Sequence, residues 1–175
     1  MNFKYSIILL FSIALFACTK EEEVENPNRT TVDEYMKAIV DGDSVIADYI
    51  VVLQDPVFNG FYPNSEYFQV QRLVENGSAE GFNLIAERIN LNTIDYPFTL
   101  RYSEHEDSAT LLFNYYTPDD TAYAMNIADT TSFTVVLTGY NNEVLTGTFE
   151  GELYKENQSS VTIEDGTFQI EMEVY

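Results

Sequence analysis

The chain of 175 residues is poor in the side chains that most often carry chemistry. It has one cysteine, one histidine and no tryptophan, and eight basic residues stand against 29 acidic ones. A single cysteine, Cys18, allows no disulfide within the chain, so the fold must rest on its core alone. A single histidine, His105, beside a single cysteine leaves no credible zinc site, because zinc takes several Cys or His ligands. The shortage of positive charge gives a formal net charge of −21. A chain this acidic is repelled by nucleic acid and by anionic lipid head groups, so no nucleic-acid partner is expected. Gly-rich phosphate loops and dinucleotide fingerprints are missing, and no cofactor is expected. Ser78 in Asn76-Gly77-Ser78 lacks the glycine two residues earlier that a nucleophile elbow needs. The apolar run Tyr5 to Ala17 has 13 residues. A membrane-spanning helix needs ~20.

What is present begins with that run. Met1-Asn2-Phe3-Lys4 supplies a positive start, and a short apolar stretch after it reads as a secretory signal over residues 1–17. At its end, Leu15-Phe16-Ala17-Cys18 resembles the lipobox of bacterial lipoproteins. The resemblance implies cleavage before Cys18, a diacylglyceryl group on its sulfur and an acylated amino group. A thiolate is nucleophilic enough to form that thioether. Each buried methylene contributes ~0.8 kcal/mol, so several acyl chains would hold the protein firmly in the outer membrane. Cleavage would remove Lys4 and leave seven basic and 29 acidic residues, a net charge of −22.

Residues 18–32 read as a flexible tether. Thr19 to Thr31 has few apolar residues, four glutamates and a proline, too little to bury against anything. Within it, Cys18-Thr19-Lys20-Glu21-Glu22 resembles the export signal of Bacteroidetes surface lipoproteins. That resemblance implies that Lys20, Glu21 and Glu22 direct the anchored protein to the cell surface.

Residues 33–175 read as one domain, long enough for a real core. Tyr and Phe, 13 and 12 of them, together with Thr and Val favour strands. Met36 to Val40 and Val45 to Leu53 flank Asp41-Gly42-Asp43, a strong hairpin signal. Asp55 to Glu66, with two prolines, reads as a long loop. Tyr67 to Val74 alternates, with Phe68, Val70 and Val74 on one face, and Glu75 to Ser78 turns the chain. Phe82 to Leu91 fits a helix face in part, but its length and neighbours favour a strand. Further strands are expected over Phe98 to Tyr102, Ala109 to Tyr116, Ser132 to Thr138, Val144 to Tyr154 and Val161 to Val174. The pattern predicts an all-β fold: an antiparallel β-sandwich of about nine or ten strands, or a closed or partly open, lipocalin-like β-barrel.

The last two segments say more. Leu145, Gly147, Phe149, Gly151 and Leu153 share one face, small and large residues interleaved as a packed interior requires. Val161 and Ile163 are apolar at odd positions, whereas Phe168, Ile170, Met172 and Val174 are apolar at even ones. This parity flip predicts a β-bulge at Asp165-Gly166, with Gly166 left-handed, inside one long strand paired with 144–154. A separate tight turn is the alternative. Leu145 to Phe149 and Val161 to Ile170, with Asp41-Gly42 near the start, resemble a family of small Bacteroidetes lipoproteins of unknown function over residues 36–174. The resemblance implies an all-β fold and no activity. Its members often carry Trp after the first turn, where this chain has Val45 and Ile46.

Candidates for chemistry are few. His105 lies in Ser103-Glu104-His105-Glu106-Asp107-Ser108, a polar segment of the kind that forms an exposed loop. Asp41-Gly42-Asp43, Asp119-Asp120 with Asp129, and Glu104 to Asp107 are oxygen-rich, but none has the spacing of a calcium loop. Glu150, Glu152, Glu171 and Glu173 lie opposite the apolar faces and predict an acidic outer face. Tyr115-Tyr116 puts one ring on each side of a strand, as core or rim. The expected function is a non-enzymatic, surface-tethered binding module for glycan or protein. The alternatives are a structural component of an envelope assembly, a barrel for a hydrophobic ligand, and a small hydrolase.

Overall fold

The structure is a computed structural model of the chain, and it describes residues 33–49, 59–74, 79–155 and 159–175. Twelve strands follow in order: β1 (Tyr35–Val40), β2 (Asp43–Ala47), β3 (Gly60–Tyr62), β4 (Tyr67–Leu73), β5 (Gly81–Glu87), β6 (Phe98–Leu100), β7 (Thr110–Tyr116), β8 (Ala122–Ala124), β9 (Phe133–Asn141), β10 (Val144–Tyr154), β11 (Ser160–Glu171) and β12 (Glu173–Val174). Among the described residues there is no α-helix. The strands form one curled, open sheet, a half-barrel, in the order β12-β3-β4-β5-β7-β8-β10-β11-β1-β2, with β9 on β10 and β6 on β9. The all-β expectation holds, in its partly open barrel form. Every pairing among these strands is antiparallel except that of β12, which follows β11 after Met172, with β3, which is parallel.

Curling brings β5 and β7 over β9 and β10, and the space between them is filled with rings. Phe149 on β10 lies 5.3 Å from Phe82, 5.0 Å from Phe113 and 6.4 Å from Phe168, centroid to centroid. Phe113 meets Phe133 at 4.6 Å. All five are buried. Each contributes roughly 1.5–3 kcal/mol through the apolar area removed from water. The interleaving of small and large residues on β10 has its expected cause. A Cβ on Gly147 would sit 2.4 Å from Cζ of Phe168 and 2.6 Å from the carbonyl of Val136.

The bulge is where the parity flip placed it. Phe149 pairs with Gly166 and Gly151 with Ile163, so Glu164 and Asp165 together oppose Glu150. The same two-for-one step appears against β1, between Lys37 and Ile39. The residue assignment within the bulge needs correcting. Asp165 takes the left-handed conformation, at φ 52°, and Gly166 has no positive φ. Gly166 is needed for space instead, since a Cβ there would lie 2.2 Å from the carbonyl oxygen of Phe149.

The first hairpin also forms as the sequence predicts. Asp41 and Gly42 have φ of 50° and 93°, the pair of positive values that a two-residue primed turn requires. Asp41 is pinned to β11, donating its N–H to the Thr162 carbonyl and accepting from the Thr162 N–H at 2.7 Å. β2 ends at Ala47, short of the expected Leu53. Beyond it Tyr49 exchanges two backbone hydrogen bonds with Leu73 at the end of β4, and residues 50–53 lie outside the described residues. Phe82 to Leu91 is a strand only as far as Glu87, because Arg88 turns left-handed at φ 57°. The loop over Asp55 to Glu66 contains the short strand β3, and β8 forms in a segment that carries no strand signal. The turn expected over Glu75 to Ser78 lies outside the described residues.

The largest fully buried side chain is Arg72, on the inward face of β4 with Phe68 and Val70. Its guanidinium donates to Glu34, just before β1, to Asn59, just before β3, and to the Gln71 carbonyl at 2.9 Å. Glu34 also accepts the backbone N–H of Glu171 at 3.0 Å. Burial pulls the Arg72 pKa down and Glu34 pulls it back up. This cluster ties the entry to β1 onto β4 and β11.

Candidate functional site

Alternation along the strands decides which side chains leave the core. β4 turns Phe68, Val70 and Arg72 inward and Tyr67, Gln69, Gln71 and Leu73 outward. β5 turns Phe82, Leu84 and Ala86 inward, and β7 does the same with Leu111, Phe113 and Tyr115. By parity their outward positions are Asn83, Ile85 and Glu87 on β5 and Leu112, Asn114 and Tyr116 on β7, although neighbours cover Asn83 to 9% exposure. Register then sets these residues in rows across the sheet. Tyr62, Tyr67 and Glu87 form one row, Gln69, Ile85 and Leu112 a second, and Gln71, Asn83 and Asn114 a third.

The first row is a tyrosine ladder. Tyr175, just past β12, stacks on Tyr62 at 4.9 Å with the planes 12° apart. Tyr62 in turn meets Tyr67 at 5.8 Å. Gly60 leaves room for the Tyr62 ring, for a Cβ there would lie 2.6 Å from its Cε2. The Tyr67 hydroxyl donates to Oε1 of Gln69 at 2.7 Å, and Nε2 of Gln69 reaches Oδ1 of Asn83 at 3.4 Å. Partial burial, then the nearby Glu87 and Tyr62, raise the Tyr67 pKa, so the phenol stays protonated and remains a donor. The side chains of Gln71 and Asn114 make no hydrogen bond among the described residues, which leaves both amides free to donate and to accept.

This face is nearly free of charge. Among the described residues, its rows hold one ionised group, Glu87 at one end of the first row, and Glu173 stands at the rim, where it accepts from the Tyr175 hydroxyl. The basic residues nearby are committed elsewhere: Arg72 inside the core, and Arg88 to the carbonyls of Ser108 at 2.6 Å and Ser103 at 3.1 Å. The opposite outer face, on β10 and β11, is different. There Glu150, Glu152, Glu164 and Asp165 are exposed, as an acidic face requires. Glu173 is exposed too, whereas Glu171 is half-buried beside Glu34.

The other candidates settle into structural roles. His105 is exposed in the loop between β6 and β7, where its carbonyl accepts the Ser108 N–H. Asp129 accepts the N–H and the hydroxyl of Thr131, at 3.1 and 2.8 Å, and Asp119 accepts the hydroxyl of Thr117. Those bonds hold both carboxylates below the usual range while they close turns. Among the described residues no three His, Cys, Asp or Glu side chains gather to hold a metal. Tyr115 is core, its hydroxyl donating to Glu80 at 2.7 Å, and Tyr116 is half-buried on the outer face. Cys18, Lys20, Glu21, Glu22 and Ser78 lie outside the described residues. Sequence reading missed Tyr62, Tyr67, Tyr175 and the amide row. Their signal is a run of outward positions without Lys, Arg or Asp in a chain that is 21% charged. No family model, curated protein or solved structure matches the chain.

Proposed function

We propose that the protein is a lipid-anchored, surface-exposed, non-enzymatic module that binds glycan on the outer face of β3, β4, β5 and β7. The observation that carries this reading is the tyrosine ladder set beside a row of amides. A sugar presents C–H faces that pack on aromatic rings and hydroxyls that both donate and accept, and this face offers a partner for each. A docking site for protein would call for a contiguous apolar patch of several hundred Å². Here the aliphatic content of the rows is the adjacent pair Ile85 and Leu112, with Leu73 apart from them at the end of β4; Leu112 is 37% exposed and the other two are half-buried. The lipobox resemblance at Cys18 and the acidic run after it support the anchor and the outward placement.

A glycan array probed with the full chain, purified in detergent, tests the binding. Tyr67→Ala and Asn114→Ala are expected to lower the affinity for any bound glycan at least tenfold. Glu150→Gln, on the opposite face, is expected to leave it unchanged. Equal loss in all three variants, or retention in the first two, would place binding elsewhere on the molecule.

A further inference from the structure

Resting on that glycan reading, we infer that the ligand is a neutral polysaccharide laid across the strands from Gln71 to Asn114, passing over the buried Asn83, and that acidic glycans are rejected. The amide row crosses three strands. At a strand spacing of ~4.8 Å it spans roughly 10 Å, enough for about two sugar rings. Tyr67 and Tyr62 bracket the row on one side through Gln69, and Tyr116 brackets it on the other, two residues beyond Asn114 on β7.

Charge decides the sugar class. Proteins hold carboxylate and sulfate groups with arginine forks or lysines. Of the described basic residues, Arg72 and Arg88 are bonded within the protein, and Arg101 points to Thr134 on β9. Lys37 lies over Tyr35 on β1, and Lys155, just past β10, faces the Asp119 carboxylate in the turn after β7. None stands within the rows of the amide face. A uronate or sulfate placed there would meet Glu87 and the field of a strongly acidic chain, with no cation to offset either. A neutral hydroxyl meets amides that match it as donor and as acceptor.

The test compares neutral polysaccharides with their carboxymethyl derivatives, using the full chain in detergent at low and moderate salt. A bound neutral polymer is expected to lose at least tenfold in affinity on carboxymethylation, and added salt should recover part of the loss because it screens the repulsion. Glu87→Gln should narrow the gap between the two polymers, and Gln71→Lys should narrow it further. Steric blockage by the added groups would leave the gap insensitive to salt and to both substitutions, and would overturn the charge argument. Equal or tighter binding of the carboxymethyl polymer, or an array in which only acidic glycans bind, would overturn the inference while leaving glycan binding intact. An array in which nothing binds removes the glycan reading and this inference with it.

Discussion

Arg72 and Glu34 form a buried ion pair of unequal partners, and the inequality makes a prediction. The Arg72 side chain is 0% exposed and that of Glu34 is 25% exposed. Glu34→Ala strands the guanidinium in the core with Asn59 and the Gln71 carbonyl as its remaining acceptors, and its Nε already lacks a partner. Leaving a buried charge uncompensated costs about 3–5 kcal/mol. Arg72→Met keeps much of the volume and removes the charge that water cannot reach. The carboxylate left behind still accepts the Glu171 N–H and can turn its exposed edge to solvent, so the loss should be about 1–2 kcal/mol, mostly from orphaned hydrogen-bond partners. The double variant should sit close to Arg72→Met, because replacing a buried pair by apolar groups is often neutral. Urea unfolding followed by tyrosine fluorescence and far-ultraviolet circular dichroism reads these values, there being no tryptophan. With a slope of about 2 kcal/mol per molar, Glu34→Ala should lower the midpoint by roughly 2 M and Arg72→Met by less than 1 M. If Arg72→Met proved as damaging as Glu34→Ala, the argument from unequal solvent access would be wrong.

Three further outcomes can be checked on the same protein. Gly147→Ala and Gly166→Ala should each destabilise by about 2 kcal/mol or more, since both would press a Cβ into a backbone carbonyl. Gly139→Ala, whose nearest neighbours stand 3.5 Å away, should stay within about 0.5 kcal/mol by the same urea titration. Tyr96, whose hydroxyl donates to the Leu91 carbonyl, has its pKa pushed up to about 12, by burial first and then by Tyr140. A raised pKa favours the protonated phenol in the folded state, so its contribution is whole below about pH 10 and is lost as pH rises through about 12. After discounting for its exposure this is about 1 kcal/mol, and Tyr96→Phe should flatten the stability profile across that window. Cys18→Ala should abolish acylation and release the protein from the membrane fraction. A lipid-modified, membrane-bound Cys18→Ala protein would refute the lipobox reading.

Much of the fold was legible because local rules and tertiary packing agree over most of the chain. In β10 and β11 the period-two pattern, the parity flip and the Asp-Gly pair all pointed to one bulged strand, and that strand forms. The interior of the bulge was not legible. Gly166 looks like the left-handed residue because glycine adopts positive φ most easily. Aspartate also tolerates that region, and the site that could not accept a Cβ was the one facing Phe149. β3 and β8 escaped notice for a different reason. Each has three residues, and each exists by pairing with a strand that is distant in sequence or crosses a loop. Short strands have too few positions to show a period, so only their partners define them.

The binding face was hidden by the same alternation that revealed the core. Reading Tyr67 to Val74 for its apolar positions selects Phe68 and Val70 and passes over both Arg72 and the outward residues. Arg72 has core parity but not core chemistry. It can occupy that position because Glu34 and Asn59 arrive from elsewhere in the chain to meet it. The outward residues are informative only together. Tyr67, Gln69, Gln71, Asn83, Ile85, Leu112, Asn114 and Tyr116 are each ordinary on a half-exposed strand, and their shared lack of charge appears once register sets them side by side. With 29 acidic residues in the chain, an outer face that admits one carboxylate among these rows contrasts with the glutamates that cover β10. Solubility is served by the acidic side, so it gives no reason for the uncharged one. An uncharged face of rings and amides is what a polar, neutral ligand requires, and the loss of affinity on carboxymethylation is the measurement most exposed to that reasoning.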